Sequence, residues 1–267
     1  MSAEAEDLVE RLRAAGCVFA EEEAALLLEA AGSAAELDRL VAERVAGRPL
    51  EQILGWVEFA GLRIVVEPGV FVPRRRTGFL VEQAVGLAGR APLVVDLCCG
   101  SGAIGAALTA RLPDLDLYAA DLDPVCARCA RRNLPGARVF QGDLFAALPV
   151  QLRGRVDLLV VNAPYVPTDA IAYMPPEARD HEPRLALDGG ADGLDVHRRI
   201  AAGAPDWLAP GGHLLIETSE LQAPGARSML AAVGLGASVV HSEDVDSTVV
   251  IGTWSPPARQ RRDKRRD

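Results

Sequence analysis

A polar amide stands at the end of an apolar run in residues 156–165. The run VDLLVV leads directly into Asn162-Ala163-Pro164-Tyr165. Asn and Pro commonly end strands, so the tetrapeptide taken alone is typical of a turn. The run before it predicts a buried strand, and in open α/β sheets ligands bind beyond the carboxyl ends of the strands. This position makes the tetrapeptide a candidate active site in which the Asn162 side chain would carry chemistry.

A glycine-rich loop follows an earlier apolar run. Residues 93–97 predict a short strand, and residues 100–105 (GSGAIG) then give the spacing G-x-G-x-x-G at the start of the next helix. Glycines let the backbone approach a ligand, although a plain tight turn would use them too. Asp121 ends the next strand about twenty residues farther on, where a carboxylate can accept hydrogen bonds from both hydroxyls of a ribose. Loop and carboxylate together predict a cofactor that contains adenosine.

Two further carboxylates bear on which adenosine cofactor fits, since NAD and S-adenosylmethionine both meet that description. Asp96 lies just before the loop, where it would repel a pyrophosphate but could hold the amino group of a methionine moiety, directly or through water. Asp143 follows the third strand, where it could accept from an adenine amino group or could instead cap a turn. The two carboxylates favour S-adenosylmethionine.

The cysteines and histidines give weaker evidence of function than the motifs above. Cys126 and Cys129 form a C-x-x-C on a predicted helix, but no second pair completes a zinc site, so packed thiols are the better interpretation. Cys98 and Cys99 are likewise predicted to pack rather than to form a disulfide. His181 is expected to be a loop histidine, and no metal site is predicted.

Composition narrows the class of protein. The chain has 267 residues, a net charge of −9 and five cysteines without framework spacing, which favours a reduced, cytoplasmic compartment. The net negative charge removes the overall electrostatic attraction of the protein to nucleic acid. Residues 74–76 (RRR), or a basic tail over 255–267 that is expected to be disordered, could still form a local basic patch. The start MSAEAEDLVERL lacks an apolar secretion core, and no run is long enough to span a membrane.

Three regions are predicted to position the candidate site. Residues 1–47 have the spacing of a small helical domain with a capping box at Ser33 and Glu36. Residues 48–73 mix apolar and turn-forming residues, which predicts a hairpin-like connector. Residues 74–254 alternate strand-like and helix-like segments, which predicts a doubly wound α/β domain. The last strand should run antiparallel, because too little chain joins it to the strand before it. Its seven expected strands lie near residues 93–97, 116–121, 138–140, 157–161, 212–217, 238–241 and 248–252.

A series of motifs then runs through the chain in a fixed order. They are residues 47–55 (GRPLEQILG), 68–74 (PGVFVPR), 96–102 (DLCCGSG), 162–165 (NAPY), 182–190 (EPRLALDGG), 192–194 (DGL) and 210–212 (PGG). With these motifs the chain resembles the protein-(glutamine-N5) methyltransferases, which methylate the glutamine of the Gly-Gly-Gln loop in peptide-chain release factors. The resemblance covers nearly the whole chain and implies a seven-stranded, Rossmann-like, S-adenosylmethionine-dependent methyltransferase fold.

The resemblance also implies roles for individual residues. Asn162 would accept a hydrogen bond from the substrate amide, the main-chain carbonyl of Ala163 would accept the second amide hydrogen, and Tyr165, after Pro164, would pack against the substrate. Two such acceptors would turn the amide lone pair toward the methyl group, so catalysis would rest on orientation without a metal or a covalent nucleophile. The implied cofactor-binding set is Arg74, Thr77, Asp96, Cys98, Cys99, Gly100, Ser101, Gly102, Asp121, Leu122, Asp143, Leu144 and Asn162.

Three departures mark the chain as a divergent member. Ala163 stands where the family has the first of two prolines, but the accepting carbonyl belongs to the main chain and Pro164 still restricts Ala163 to extended conformations. Arg75 and Arg76 stand at the positions of a proline and an acidic residue, which adds positive charge near the entrance and leaves the methylated protein unidentified. Cys98 replaces a usual glycine.

Two other functions stay open on sequence alone. One is a nucleic-acid base methyltransferase acting on adenine N6 or guanine N2, whose target nitrogen likewise carries two hydrogens and a delocalised lone pair. The acidic pI and the lack of an added nucleic-acid-binding domain argue against this function. A catalytically silent protein that binds S-adenosylmethionine is the third hypothesis, against which Asn162 argues. The leading prediction is a monomeric methyltransferase with a protein substrate and no membrane or nucleic-acid partner.

Overall fold

The N-terminal residues form a helical unit in the computed structural model, which describes residues 3–256 of the chain. Helical spacing of apolar residues buries Leu12 and Leu27 in one small cluster. The predicted capping box is present in part: the Glu36 N–H donates to Ser33 Oγ at 3.2 Å, whereas the Glu36 carboxylate accepts from Gly32 N–H at 3.0 Å instead of from Ser33. The helices of this unit are α1 (Ala3–Ala14), α2 (Ala20–Ala30), α3 (Ala34–Val45) and α4 (Leu50–Leu54).

A β-hairpin lies within the predicted connector. Strands β1 (Trp56–Phe59) and β2 (Leu62–Val65) pair antiparallel. The two residues that join them, Ala60 and Gly61, have φ of 51° and 78°, the left-handed pair whose twist suits a two-residue hairpin. A single 3-10 turn, Arg75–Thr77, then leads into the next domain. The domain boundaries at residues 47 and 73 stay predictions.

A seven-stranded sheet forms the centre of the larger unit, and all seven predicted strands are present. The spatial order is β5-β4-β3-β6-β7-β9-β8. The final strand, β9, is inserted antiparallel between β7 and β8, and the other pairs are parallel. This arrangement confirms the predicted fold class. The strands are β3 (Leu93–Leu97), β4 (Asp116–Asp121), β5 (Arg138–Gln141), β6 (Val156–Val161), β7 (Leu208–Thr218), β8 (Leu235–Ser242) and β9 (Ser247–Trp254).

Helices cover both faces of the sheet because its central strands are apolar on both sides. Every residue of β3 is buried, and alternation sends Val95 into one hydrophobic cluster and Val94 into the other. Asp123 caps the start of one helix by accepting from Val125 N–H at 2.7 Å, with Pro124 in the first turn. The helices of this unit are α5 (Gly78–Leu87), α6 (Ala103–Arg111), α7 (Pro124–Asn133), α8 (Pro176–His181), α9 (Arg184–Leu187), α10 (Asp195–Trp207) and α11 (Ala223–Ala232).

Two further sequence predictions concern the periphery. No helix in residues 3–256 is long and apolar enough to cross a membrane. The predicted disordered basic tail falls on residues 255–267, of which 257–267 lie outside the described residues.

Candidate active site

The predicted site residues meet where the chain order of the sheet reverses. Strand β3 pairs with β4 on one side and with β6 on the other, and the register places Leu97 opposite both Ala120 and Val161. The loops after β3, β4 and β6 therefore leave the same edge side by side, at the crevice where ligands bind in open α/β sheets. A cavity of about 270 Å³ opens there.

Most of the predicted residues line this cavity. Of the two predicted sets, Asp96 and Gly102 do not line it and lie behind its wall. The lining residues among the predictions are Arg74, Thr77, Cys98, Cys99, Gly100, Ser101, Asp121, Leu122, Asp143, Leu144, Asn162, Ala163, Pro164 and Tyr165.

The glycine loop owes its shape to left-handed backbone. Cys98 has φ of 57°, Gly100 of 54° and Gly102 of 80°. A side chain in this region costs about 1 kcal/mol or more, which explains why glycine suits the Cys98 position. A Cβ added to Gly102 would lie 2.9 Å from Leu134 Cδ1 and 3.2 Å from Ala130 Cα. Gly102 thus lets α6 begin against α7, and its contact is with that helix.

Asp96 is fully buried just behind the loop. Its Oδ2 accepts from Gly105 N–H at 3.1 Å, while Oδ1 has no hydrogen-bond partner among the described residues. Burial raises the pKa of Asp96 from its ordinary 3.8 to about 7, the Gly105 hydrogen bond opposes that rise, and the charge of Asp121 adds to it. Ser101 Oγ is also buried without a partner in the described chain. These unsatisfied groups fit a ligand that brings hydrogen-bond donors, as the ammonium group of a methionine moiety does.

Asp121 stands at the end of β4 as predicted. Its Oδ2 accepts from Gly100 N–H at 2.8 Å and its Oδ1 from Asp123 N–H at 2.9 Å. Each carboxylate oxygen keeps a second lone pair, so both can still accept from a ribose hydroxyl. Burial raises the pKa of Asp121, and the hydrogen bonds from Asp123 and Gly100 oppose that rise. Leu122 follows with its side chain half-exposed over the cavity, as an adenine-facing residue would be.

Asp143 has a partner that sequence reasoning missed. Its Oδ2 accepts from Arg199 Nη2 at 2.6 Å, an ion pair between the loop after β5 and helix α10. The other oxygen, Oδ1, is left for a donor such as an adenine amino group. Leu144 beside it has φ of 47° and packs partly buried against the core. Nothing in the sequence around Arg199 signals this pairing.

Asn162 occupies the carboxyl end of β6. Its Nδ2 donates to Thr77 Oγ1 at 3.3 Å, and its Oδ1 has no protein partner in residues 3–256. Ala163 is buried, with 2% of its surface exposed, and still lines the cavity. An acceptor oxygen is therefore free beside the cavity, as the proposed chemistry requires. Thr77, which the resemblance placed on the cofactor, contacts Asn162 directly.

Tyr165 is held at three points. Its hydroxyl accepts from Arg76 Nη2 at 2.8 Å and donates to Glu217 Oε1 at 3.5 Å. Its carbonyl accepts from Gln222 Nε2 at 2.7 Å. Glu217 and Gln222 were not among the predicted residues. Glu217 lies near the end of the long strand β7, next to β6 in the sheet, and Gln222 follows that strand. Arg76 therefore acts on the candidate catalytic tetrapeptide itself.

Arg74 lines the cavity and also forms an ion pair within the protein. Its Nη2 donates to Glu182 Oε2 at 2.6 Å, and its guanidinium lies 4.9 Å from the centre of the Phe71 ring. Glu182 also accepts from Val72 N–H at 3.2 Å. Arg74 thereby ties the segment before α5 to the segment between α8 and α9. His181 ends the short helix α8, so the predicted loop position was wrong.

The cysteine prediction is confirmed. Cys98, Cys99, Cys126 and Cys129 are all free thiols, and the last three are buried. Burial raises the pKa of each of these thiols, which favours the protonated thiol over the nucleophilic thiolate. Within the described part of the chain no group of three or more His, Cys, Asp or Glu side chains could hold a metal ion.

Comparison with known proteins identifies related methyltransferases. The profile of the family described as "Methyltransferase small domain" matches residues 61–174. The chain is 44% identical over 199 residues to the release factor glutamine methyltransferase of Geobacter sulfurreducens, a match that covers 73% of this chain and 69% of that protein.

A second relative is named for a different class of substrate. The chain is 39% identical over 203 residues to the 4-amino-L-phenylalanine/4-methylamino-L-phenylalanine methyltransferase of Streptomyces pristinaespiralis, covering 73% of this chain and 69% of that protein. Among solved structures, a methyltransferase from Pyrococcus furiosus superposes with a TM-score of 0.56 at 16% identity, covering 73% of this chain and 90% of that one. That likeness concerns the fold.

Proposed function

Because this chain belongs to the release factor glutamine methyltransferase family, we propose that it transfers a methyl group from S-adenosylmethionine to the side-chain nitrogen N5 of a glutamine in a release factor. The observation that carries the proposal is the free Oδ1 of Asn162, an acceptor beside a cavity at the carboxyl end of β6. By the resemblance described above, the acceptor would be the glutamine of a Gly-Gly-Gln loop.

The cofactor would lie across the ends of β3, β4 and β5. Asp121 would accept from the ribose hydroxyls, Asp143 from the adenine amino group, and Asp96 would receive the amino group of the methionine moiety. S-adenosylmethionine supplies the reaction with an electrophilic methyl group on a positively charged sulfur. The unpartnered oxygen of Asp96 and the free oxygen of Asp143 support this placement.

The protein's task is to prepare a poor nucleophile. The lone pair of a carboxamide nitrogen is delocalised into its carbonyl, and no ordinary side chain deprotonates such a group efficiently. Asn162 Oδ1 and the Ala163 carbonyl would accept the two amide hydrogens and turn the lone pair toward the methyl group. In a desolvated site each hydrogen bond contributes on the order of 1–3 kcal/mol, and about 1.4 kcal/mol corresponds to a tenfold change in rate.

The protein substrate would dock across the rim of the cavity and the N-terminal helical unit, residues 1–47. Leu185 supports the rim as a contact surface, since it lines the cavity and 54% of its surface is exposed. Tyr173, 89% exposed, directly precedes the cavity-lining Met174. Deletion of residues 1–46 should weaken substrate binding while cofactor binding persists. An unchanged substrate affinity would refute this part of the proposal. A monomeric state and a cytoplasmic location belong to the same proposal.

A free aromatic amine is the second candidate acceptor. An aniline nitrogen also carries two hydrogens and a conjugated lone pair, and the Streptomyces pristinaespiralis relative methylates such a group. The observation that favours it here is Arg75, which is exposed next to Arg76 and has no ion-pair partner among the described residues. Its guanidinium could pair with the carboxylate of a free amino acid.

One experiment separates these functions. Purified protein is incubated with labelled S-adenosylmethionine and a bacterial extract, and the products are treated with nuclease or protease. Label that survives nuclease, disappears with protease and is lost in Asn162→Ala supports the proposal. Label lost to nuclease would indicate a nucleic-acid base as acceptor, and label in the small-molecule fraction would indicate an amine. Cofactor binding without any transfer would indicate a silent binding protein.

A further inference from the structure

Asn133 ends helix α7 next to the glycine loop, and its side-chain amide makes three hydrogen bonds. Its Oδ1 accepts from Val65 N–H at 2.9 Å. Its Nδ2 donates to the Val65 carbonyl at 2.9 Å and to the Ser101 carbonyl at 2.8 Å. Val65 is the last residue of β2 in the connector, and Ser101 belongs to the glycine loop. One half-buried side chain thus joins α7, the hairpin and the loop that lines the cavity.

These partners fix the orientation of the Asn133 amide. Its nitrogen faces two carbonyl oxygens, and its oxygen faces an N–H group. The reversed amide would set its oxygen against the two carbonyls and lose all three hydrogen bonds. Asn133 therefore pairs with Val65 as a neighbouring strand would, and its second amide hydrogen is left for Ser101.

At Gly100 the glycine loop is held by hydrogen bonds rather than by packing. A Cβ added there would meet no heavy atom of the described residues within 4 Å. Gly100 N–H donates to Asp121 Oδ2 at 2.8 Å, and the carbonyl of the next residue, Ser101, accepts from Asn133. Gly102 N–H then turns back to the Cys99 carbonyl at 2.7 Å. Loss of the Asn133 side chain would remove the hydrogen bond that anchors the loop beyond Gly100.

Ser101 is the residue at which this anchor meets the ligand. Its Oγ is buried without a partner in residues 3–256, and Ser101 lines the cavity, so the hydroxyl can accept from a bound molecule. In the cofactor placement proposed above, the donor is the ammonium group of the methionine moiety. We propose that Asn133 is a positioning residue that holds Ser101 in place for the methionine half of S-adenosylmethionine. This inference rests on the cofactor placement within the proposed function.

The first test compares two ligands that differ in the methionine half. S-adenosylhomocysteine carries the amino-acid group, whereas 5′-methylthioadenosine carries only a methyl group on its sulfur. In calorimetric titrations Asn133→Ala should weaken S-adenosylhomocysteine about fivefold or more and 5′-methylthioadenosine less than about twofold. Asn133→Asp keeps an acceptor for Val65 N–H, but its ionised carboxylate cannot donate to Ser101. It should show the same selective loss, and it provides the test if Asn133→Ala does not fold.

Arg132→Ala is the matched control. Arg132 pairs with Glu67 of the connector at 3.1 Å, so its removal loosens α7 from the connector and leaves the Ser101 hydrogen bond in place. This variant should bind both ligands as the wild type does. An unchanged affinity of the Asn133 variants for S-adenosylhomocysteine, or an equal loss for both ligands, would overturn the inference. A wild type that binds both ligands equally tightly would overturn it as well.

A second measurement needs no ligand. Hydrogen exchange of the Gly102 N–H is followed by NMR in the ligand-free proteins. Exchange should be about tenfold faster in Asn133→Ala than in the wild type and in Arg132→Ala, because the loop has lost its anchor. Equal exchange in the three proteins would overturn the inference. If both measurements give the expected results but the wild type methylates no glutamine, the proposed methyl transfer fails and the positioning of Ser101 stands.

Discussion

Asp96 is expected to lower the stability of the ligand-free protein while strengthening cofactor binding, and Asp96→Asn separates the two effects. The substitution removes the charge and keeps an oxygen that can accept from Gly105 N–H, as Asp96 Oδ2 does at 3.1 Å. Asn and Asp have nearly the same size and shape, so the packing around this buried position should change little.

The size of the effect follows from the titration of the buried carboxyl. Its pKa is about 7 in the folded protein and near 3.8 when unfolded. A carboxyl whose pKa is raised by folding binds its proton more tightly in the folded state, so stability falls as pH rises between these two values. The loss is about 1.4 kcal/mol per pH unit and reaches about 4 kcal/mol above pH 7. Asp96→Asn should therefore match the wild type near pH 4 and be more stable by up to about 4 kcal/mol at pH 8.

Cofactor binding should respond in the opposite direction. If Asp96 receives the ammonium group of S-adenosylmethionine, the wild type should bind more tightly as pH rises toward 7 and then level off, by up to about tenfold per pH unit. The Asp96→Asn variant should bind weakly at every pH.

The assays are urea unfolding of the ligand-free proteins between pH 4 and pH 8 and calorimetric titration with S-adenosylmethionine between pH 5 and pH 8. A stability difference between wild type and Asp96→Asn that does not vary with pH would refute the titration argument. Cofactor affinity that survives the substitution would refute the contact between Asp96 and the methionine moiety.

Three further predictions concern stability, each measured by urea unfolding. Cys98→Gly should be more stable than its matched control Cys98→Ala by about 1 kcal/mol, because φ of 57° strains any side chain; equal stabilities would contradict this. Gly102→Ala should cost about 2 kcal/mol or more, since a Cβ would lie 2.9 Å from Leu134 Cδ1, and a neutral result would show that α7 can move aside. Burial lowers the pKa of His197 from 6.5 to about 4. The stability that depends on its neutral imidazole is therefore fully present above pH 6.5, and the free energy of unfolding falls by about 3 kcal/mol as pH falls to 4. His197→Leu should lack this loss, and parallel pH profiles of the two proteins would contradict it.

The fold could be predicted from sequence because the strands carry local signals. The mostly apolar run LVVDL at residues 93–97 gave β3 its observed bounds. Strand β7 was underestimated, starting at Leu208 and not at residue 212, because Pro210 and Gly211 interrupt the apolar pattern. The pairing of β6 and β7 shifts register there, between Val156 and Leu158, which no local pattern signals.

For the candidate site, the sequence predicted only those neighbours that the order of the strands brings together. Strand ends that meet at one edge bring the glycine loop and Asn162 together, and that follows from a parallel sheet. Contacts between distant side chains do not follow. Asn162 meets Thr77 across 85 residues of chain and Arg76 meets Tyr165 across 89, and no spacing rule links such pairs. Arg76 in the sequence indicated only a positive entrance, whereas the structure places it on Tyr165 and beside Glu217.

The most direct test of the central claim is mass spectrometry of a purified release factor after incubation with this protein and S-adenosylmethionine. The account predicts a single methyl group on the side-chain nitrogen of the glutamine in the Gly-Gly-Gln loop, absent when Asn162→Ala replaces the wild type. A release factor that stays unmethylated while another molecule in the extract takes up the label would contradict it.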